Sequence, residues 1–216
     1  MDYRHPTEYK MEHLITKKFT DQELQEKSIQ YAKNLLIKER TDEFNELFGK
    51  AVYSDDDNVV RVLLKSEYLT EYILKDLFYY ACEVEKVKVL EVFLKCTNLG
   101  PNTPSASGVP VFLHYINCGK MNTTKLFIKH GADINIADSI GTTALHHAAA
   151  HYDTEMVKYL LEKGANKKAR NYKGQTPLDY CKELLQYRCG EKPSRKKLNE
   201  LYNLLGGSYK NLGVFL

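Results

Sequence analysis

The densest run of reactive side chains in this 216-residue sequence is His146-His147-Ala148-Ala149-Ala150-His151. On a helix, His147 and His151 share one face four residues apart, the spacing of two metal-binding imidazoles. The glutamate of an H-E-x-x-H site is missing and no third ligand accompanies the pair. A structural role is expected for these histidines, with no metal and no cofactor. Cys118 follows His114 by one helical turn, which is thiol-and-base spacing. No third group that would orient the imidazole can be identified, so a thiol at a groove edge is expected in preference to a nucleophile. Asp55-Asp56-Asp57 lacks the alternating oxygen ligands and distal Glu of a calcium loop. It reads as a solvated turn in which Asp56 or Asp57 favours the next helix start. Walker, G-x-G-x-x-G and G-x-S-x-G motifs are absent, and Gly206-Gly207 follows a helix instead of opening one. These residues predict no catalytic centre.

Composition bounds the remaining choices. Hydrophobic residues make up 43% and charged residues 27%, which excludes a chain too polar to fold. No apolar run approaches the roughly 18 residues of a membrane span. The first residues lack the apolar core of a secretion signal, so a cytoplasmic or nuclear site is expected, in the source cell or in a host. The five cysteines are odd in number and form no C-x-x-C, which argues for free thiols, Cys181 and Cys189 included. Charge is uneven. Residues 158–216 hold 13 Lys+Arg against 5 Asp+Glu, a net of +8, so the preceding 157 residues carry −5. Lys167, Lys168, Arg170 and Lys173 surround one turn, and Arg195-Lys196-Lys197 start the last helix. This basic C-terminal end reads either as a solubilising cap or as a dock for an acidic partner or nucleic acid.

Reactive residues need elements to hold them, and the elements here repeat. Gly108, Gly141 and Gly174 stand 33 residues apart, as do Gly131/Gly164 and Ala132/Ala165. Thr143-Ala144-Leu145-His146 recurs as Thr176-Pro177-Leu178-Asp179. Two motifs sharing one period imply stacked units that cannot bury their apolar faces alone. In this pattern the chain resembles the ankyrin repeat family. Residues 138–170 look like one complete repeat and 171–205 like a second. Residues 105–137 keep the glycines and Gly131-Ala132-Asp133-Ile134-Asn135 but have a degenerate helix start at Pro110-Val111-Phe112-Leu113. Residues 42–71 and 72–104 keep only the skeleton: Ala51 with Val59, Val60, Leu63 and Leu64, and Ala81 with Val89, Leu90, Phe93 and Leu94.

The resemblance implies an all-α solenoid of about five stacked helix pairs over residues 42–205. Within 138–170, Thr143 caps the first helix and small Ala148 and Ala149 allow close approach. Met156, Val157, Leu160 and Leu161 form a buried face, and Gly164 ends the second helix. Thr20-Asp21-Gln22-Glu23 reads as a capping box. The apolar stripe Leu24, Ile29, Tyr31, Ala32, Leu35 and Leu36 then makes residues 20–41 an N-terminal capping helix. Residues 1–19 are expected to be flexible. At the other end, Leu198, Leu201, Leu204 and Leu205 supply the last face, and 206–216 form a tail.

Family members are generally non-enzymatic recognition scaffolds that bind another protein across the concave side formed by turn tips and first helices. By matching positions, that surface here comprises Ser139, Ile140, Thr142, Ala150 and His151, then Tyr172, Lys173 and Gln175. The preceding repeat contributes Val109, Asn117 and Cys118. The family also implies that His146 ties the turn together. The functional expectation is a protein–protein interaction scaffold, acting as adaptor or inhibitor. The Lys- and Tyr-rich composition adds the expectation of a viral protein or bacterial effector acting on host proteins. The alternatives are binding of nucleic acid or an acidic partner through the basic end, or a Cys/His enzyme.

Overall fold

The computed structural model describes residues 41–65, 69–105, 108–187 and 193–207. The capping helix expected over 20–41 falls outside these residues except for Thr41, as do the 1–19 stretch and the tail from 208 onward. Ten helices occupy the described residues: α1 Thr41–Tyr53, α2 Asp57–Leu63, α3 Glu71–Glu83, α4 Val87–Cys96, α5 Val111–Asn117, α6 Met121–Lys129, α7 Ala144–Ala150, α8 Thr154–Glu162, α9 Pro177–Tyr187 and α10 Arg195–Leu205. They pack as five successive pairs. First helices touch first helices (α1 with α3, α5 with α7, α7 with α9), and second helices touch second helices (α2 with α4, α4 with α6, α8 with α10). No strand forms among the described residues; isolated bridges Pro104–Pro110 and Ala137–Thr143 close hairpin turns between pairs.

Side-chain caps start most of these helices. Asp56 Oδ1 accepts from the Val59 amide at 3.1 Å, and Asp153 Oδ1 from the Met156 amide at 3.0 Å. Thr70 and Ser194 cap α3 and α10 in the same way. Thr143 with His146 makes a reciprocal capping box, and Thr176 with Asp179 makes another. The second helices α4 and α6 lack such a cap of their own, for Lys86 and Lys120 occupy the cap positions.

The missing caps come from the preceding repeat. The turn joining the two helices of a pair places one residue at positive φ: Asp55 (57°), Glu85 (53°), Gly119 (71°) and Tyr152 (55°). Asp55 Oδ1 accepts from the Val89 amide of α4 at 3.1 Å. Glu85 Oε1 accepts from the Asn122 amide of α6 at 2.8 Å, with the Thr123 amide at 3.4 Å. Each carboxylate therefore meets orphan N–H groups at the next repeat's second helix, where the helix dipole also favours negative charge. Gly119 has no side chain to offer, and α8, the helix it would serve, carries its own cap in Asp153.

Burial fuses the pairs into one core. Phe48 stacks on Phe93 with centroids 6.1 Å apart. Phe78 meets Phe93 at 5.8 Å and Phe127 at 6.1 Å, so an aromatic chain crosses the first three pairs. Truncating one of these rings to alanine typically costs about 3–5 kcal/mol. In the fourth pair the phenylalanines give way to Ala144, Ala148, Ala149, Met156, Val157 and Leu160, all buried, beside buried Tyr152. Polar bonds cross the long 97–110 connection as well: Tyr79 Oη donates to the Pro104 carbonyl at 2.6 Å, and Tyr115 Oη donates to the Tyr79 carbonyl at 2.8 Å. On the second-helix side, Glu91 pairs with Lys129 at 2.5 Å, Lys158 pairs with Glu200, and Lys125 lies 5.6 Å from the centre of the Tyr159 ring. Exposed pairs of this kind are screened by salt and add little beside the core.

The hairpins that carry the surface residues are held by two repeated devices. Asp138 Oδ1 accepts from the amides of Ile140 (3.0 Å) and Thr142 (2.8 Å). Asn171 Oδ1, 33 residues later, accepts from Lys173 and Gln175, both at 3.0 Å. His146 then ties hairpin to hairpin. Its Nε2 lies 3.0 Å from the Gln175 carbonyl and must donate, since a carbonyl only accepts. Its Nδ1 is thereby left to accept from the Thr143 amide at 3.2 Å and hydroxyl at 2.8 Å. Burial holds the His146 imidazole below its ordinary pKa, against an opposing pull from the Gln175 carbonyl and Asp138. Burial does the same to His147, against the attraction of Asp138 Oδ2 at 3.4 Å.

Two expectations follow. Glu85→Ala should lower unfolding free energy by about 1–2 kcal/mol, the usual cost of a lost cap, as measured by urea denaturation. Glu85→Gly should lose less, because glycine relieves the positive φ while also lacking the carboxylate. Equal stability of Glu85→Ala and the parent protein would refute cross-repeat capping. The two histidines generate the second expectation. The unfolded imidazole titrates near 6.5, above the folded values. Their contribution to stability is full above about pH 6.5 and is lost as pH falls through the lower folded values. The urea midpoint should therefore drop between pH 7.5 and pH 5.5, a range chosen to bracket about 6.5, and drop less in His147→Gln. A midpoint that stays level over that range would contradict the burial argument.

Candidate functional site

The hairpin tips and the ends of the first helices hold most of the residues expected to meet a partner. Ser139 and Ile140 are exposed at one tip, Tyr172 and Lys173 at the next. Ile140 is 56% exposed and Tyr172 80%. The Tyr172 amide donates to the Ile140 carbonyl at 3.0 Å, so the two tips are joined. Gly141 sits under the Tyr172 ring with φ 78°; a Cβ there would come within 2.9 Å of ring carbon Cδ1 and 3.0 Å of the Tyr172 amide. Only glycine fits that close approach in that conformation.

A second group lies at the C-terminal ends of α5 and α7. Asn117, Cys118 and His151 are exposed, and Ala150 is half-buried. His151 Nε2 donates to Asn117 Oδ1 at 2.8 Å, which joins adjacent first helices as Tyr172 joins adjacent tips. Val109 is half-buried. Gln175 is half-buried too, and its side chain is engaged with Asn171 at 3.0 Å and with Glu183. Thr142 departs from the expectation. It is 0% exposed, because its amide and carbonyl close the hairpin with Asp138 and the chain turns inward after Gly141.

The surroundings of the nucleophile candidate favour its thiol over the thiolate. Cys118 Sγ lies 3.8 Å from His114 Nε2. Partial burial and then the charge of Glu83 hold the thiol above its ordinary pKa, against Lys120. A reactive cysteine needs the opposite shift. His114 packs edge-on against Tyr115 at 5.0 Å. Among the described residues no group of three or more His, Cys, Asp and Glu side chains is placed to hold a metal ion. A cleft of about 970 Å³ opens between the second pair and the 97–104 loop, lined by Leu64, Leu69, Leu74 and Leu99. Its two charged lining residues, Glu71 and Lys75, pair with each other at 2.6 Å.

The basic end is two patches. Lys167 Nζ lies beside Gly206, at the C-terminal end of α10, 3.6 Å from where a Cβ would stand. Arg195, Lys196 and Lys197 form the first turn of the same helix. Eleven residues at 1.5 Å each separate those ends by about 16 Å. The residues that sequence reasoning missed are Asp55, Glu85, Asp138, Asn171 and Glu183. Asp138 and Asn171 carried a readable signal, since each stands three residues before a glycine of the 33-residue register.

Comparison with known proteins agrees with this geometry. Residues 112–190 match the family profile for ankyrin repeats (3 copies). The Borreliella burgdorferi protein BB_B28, which carries an ankyrin repeat name, is 30% identical over 128 residues, 58% of this chain and 31% of its own length. Protein phosphatase 1 regulatory subunit 27 of Mus musculus is 31% identical over 87 residues, 40% of this chain and 56% of its own length. The chain thus spans about a third to just over half of these curated relatives. The crystal structure of the ankyrin repeat protein EF0377 superimposes with a TM-score of 0.56 at 19% identity, covering 84% of this chain and 97% of that one. With three repeats matched in sequence and five helix pairs stacked as in the ankyrin solenoid, residues 112–190 are ankyrin repeats and the described residues share the ankyrin-repeat fold.

Proposed function

We propose that this protein is a non-enzymatic scaffold that binds a partner protein across its turn tips and first helices. Ankyrin repeats indicate a protein–protein interaction scaffold; the surface used and the adaptor or inhibitor role are the proposal. One observation carries it. Residues of adjacent repeats on this face are bonded to one another, the His151 side chain to that of Asn117 and the Tyr172 amide to the Ile140 carbonyl, so a contiguous surface is already ordered before any partner arrives. Pre-organisation removes part of the ordering cost of binding. The likeness to a protein phosphatase 1 regulatory subunit supports a role exerted through another protein. The site of action is proposed to be cytoplasmic or nuclear, in the source cell or in a host. Enzyme chemistry is disfavoured by the raised Cys118 thiol.

A photo-crosslinking amino acid placed at Ile140, Asn117 or Glu155 tests the surface directly. The first two sites lie on the proposed face and Glu155 lies on second helix α8. One protein should be captured at Ile140 and Asn117 from lysate of the source or host cell, and not at Glu155. Tyr172→Ala with His151→Ala should then weaken its purified complex by about 2 kcal/mol or more, with helix content unchanged. Capture from Glu155 alone, or full affinity in the double variant, would reject the assigned face.

A further inference from the structure

Two adjacent hairpin tips carry opposite charge. Residues 133–140 and 166–173 occupy equivalent positions 33 apart. The first tip holds Asp133 and Asp138 and no cation; the second holds Lys167, Lys168, Arg170 and Lys173 and no anion. The acids of the first tip are consumed locally. Asp133 Oδ1 accepts from the Asn135 amide at 2.9 Å, and Asp138 serves the Ile140 and Thr142 amides and faces His147. The cations of the second tip stay at the surface: all four are exposed. Lys173 reaches Glu183 at 3.4 Å with its side chain 71% exposed, and Arg170 donates to the Gly174 carbonyl. Among the described residues Lys168 has no carboxylate partner within ion-pair distance. Each tip also carries one strongly exposed large apolar residue, Ile140 on the first and Tyr172 on the second.

We infer that Ile140 and Tyr172, with Lys168, Arg170 and Lys173, form a site for an acidic peptide segment of a partner protein, one that sets an apolar or aromatic side chain beside its carboxylates. This rests on the scaffold reading above and names its partner's chemistry. The Tyr172 ring lies over Gly141 and its amide is bonded to the Ile140 carbonyl, so the backbone that carries the aromatic anchor is ordered in advance. Tyrosine and arginine are the side chains that most often dominate interfaces, and a one-sign cluster around them selects a partner of opposite charge. A nucleic acid is the poorer match. Its phosphates need a continuous basic track, whereas Glu183 interrupts this patch and Arg195–Lys197 lie at the far end of α10.

Random peptides displayed on phage and selected on the full-length protein test the inference. Enriched sequences should combine Asp or Glu with Tyr, Phe or Leu. A synthetic peptide of that kind, followed by fluorescence polarisation, should lose roughly tenfold or more in affinity to Tyr172→Ala. It should lose as much to Lys168→Glu with Arg170→Glu, and that double variant should instead prefer the peptide with its acids changed to lysine. Arg195→Glu with Lys196→Glu should leave binding unchanged. Enrichment of neutral or basic peptides, no enrichment, or indifference to the hairpin variants would overturn the site. So would a random DNA duplex or phosphatidylserine vesicles displacing the peptide in an Arg170-dependent way. If the crosslinked partner keeps its affinity for both hairpin variants but loses it to Asn117→Ala with His151→Ala, this inference fails and the scaffold reading stands. If no partner crosslinks from either face site, the scaffold reading itself fails.

Discussion

Among the described residues no helix pair buries its apolar face by itself. Each pair is two short helices, and its core is completed by residues of the pairs beside it. In the second pair Phe93 packs on Phe78 of its own pair and on Phe48 of the first, and Phe78 on Phe127 of the third. Folding must therefore satisfy the contacts between repeats, and the proposed binding surface is a by-product of that stacking. Tips and helix ends stand in a row because the core repeats, so side chains that face solvent at equivalent positions become neighbours across repeats.

The same dependence governs polar groups. A second helix starts with N–H groups that nothing inside it can accept. Where a second helix has its own aspartate at the cap, as α8 does, the turn of the preceding repeat carries glycine and offers no side chain to it. Where it has lysine, as α4 and α6 do, the preceding repeat places a carboxylate there through a residue at positive φ. Positive φ is strained for Asp and Glu, and the bonds they make offset that strain. The first repeats thus depart from the family pattern in their residues while satisfying the same donors.

The C-terminal half was readable from sequence because Gly141 and Gly164 recur on the 33-residue register with Gly174, and Thr143 and Thr176 stand two residues after a register glycine. Thr143 and His146 fall where the pattern puts them, and His146 makes the turn bonds the resemblance implied. The N-terminal half was readable only as helix skeleton. Its stacking residues are phenylalanines, which any apolar helix face could carry, and its caps act across about 34 to 38 residues of sequence, a separation no local pattern reports. Asp55 looked like part of a solvated acidic run; its partner, the Val89 amide, is invisible without the fold. Thr142 was misplaced for a related reason. Its neighbours Ile140 and Tyr172 face out, but the turn at Gly141 carries the chain inward within a single residue. The basic C-terminal end was one patch in sequence and became two in space, because α10 separates residues that composition groups together.

Continuity of the stack is the claim on which both the proposed binding face and its rigidity rest, and the 97–110 connection is where it is most exposed to failure. Native-state hydrogen exchange at increasing denaturant measures it directly, amide by amide. The nearest-neighbour account predicts that α3 and α4 open together with α5 and α6, with protection highest in the central pairs and falling smoothly toward both ends. Two separate opening free energies, with a step between α4 and α5, would show two independent units and contradict it.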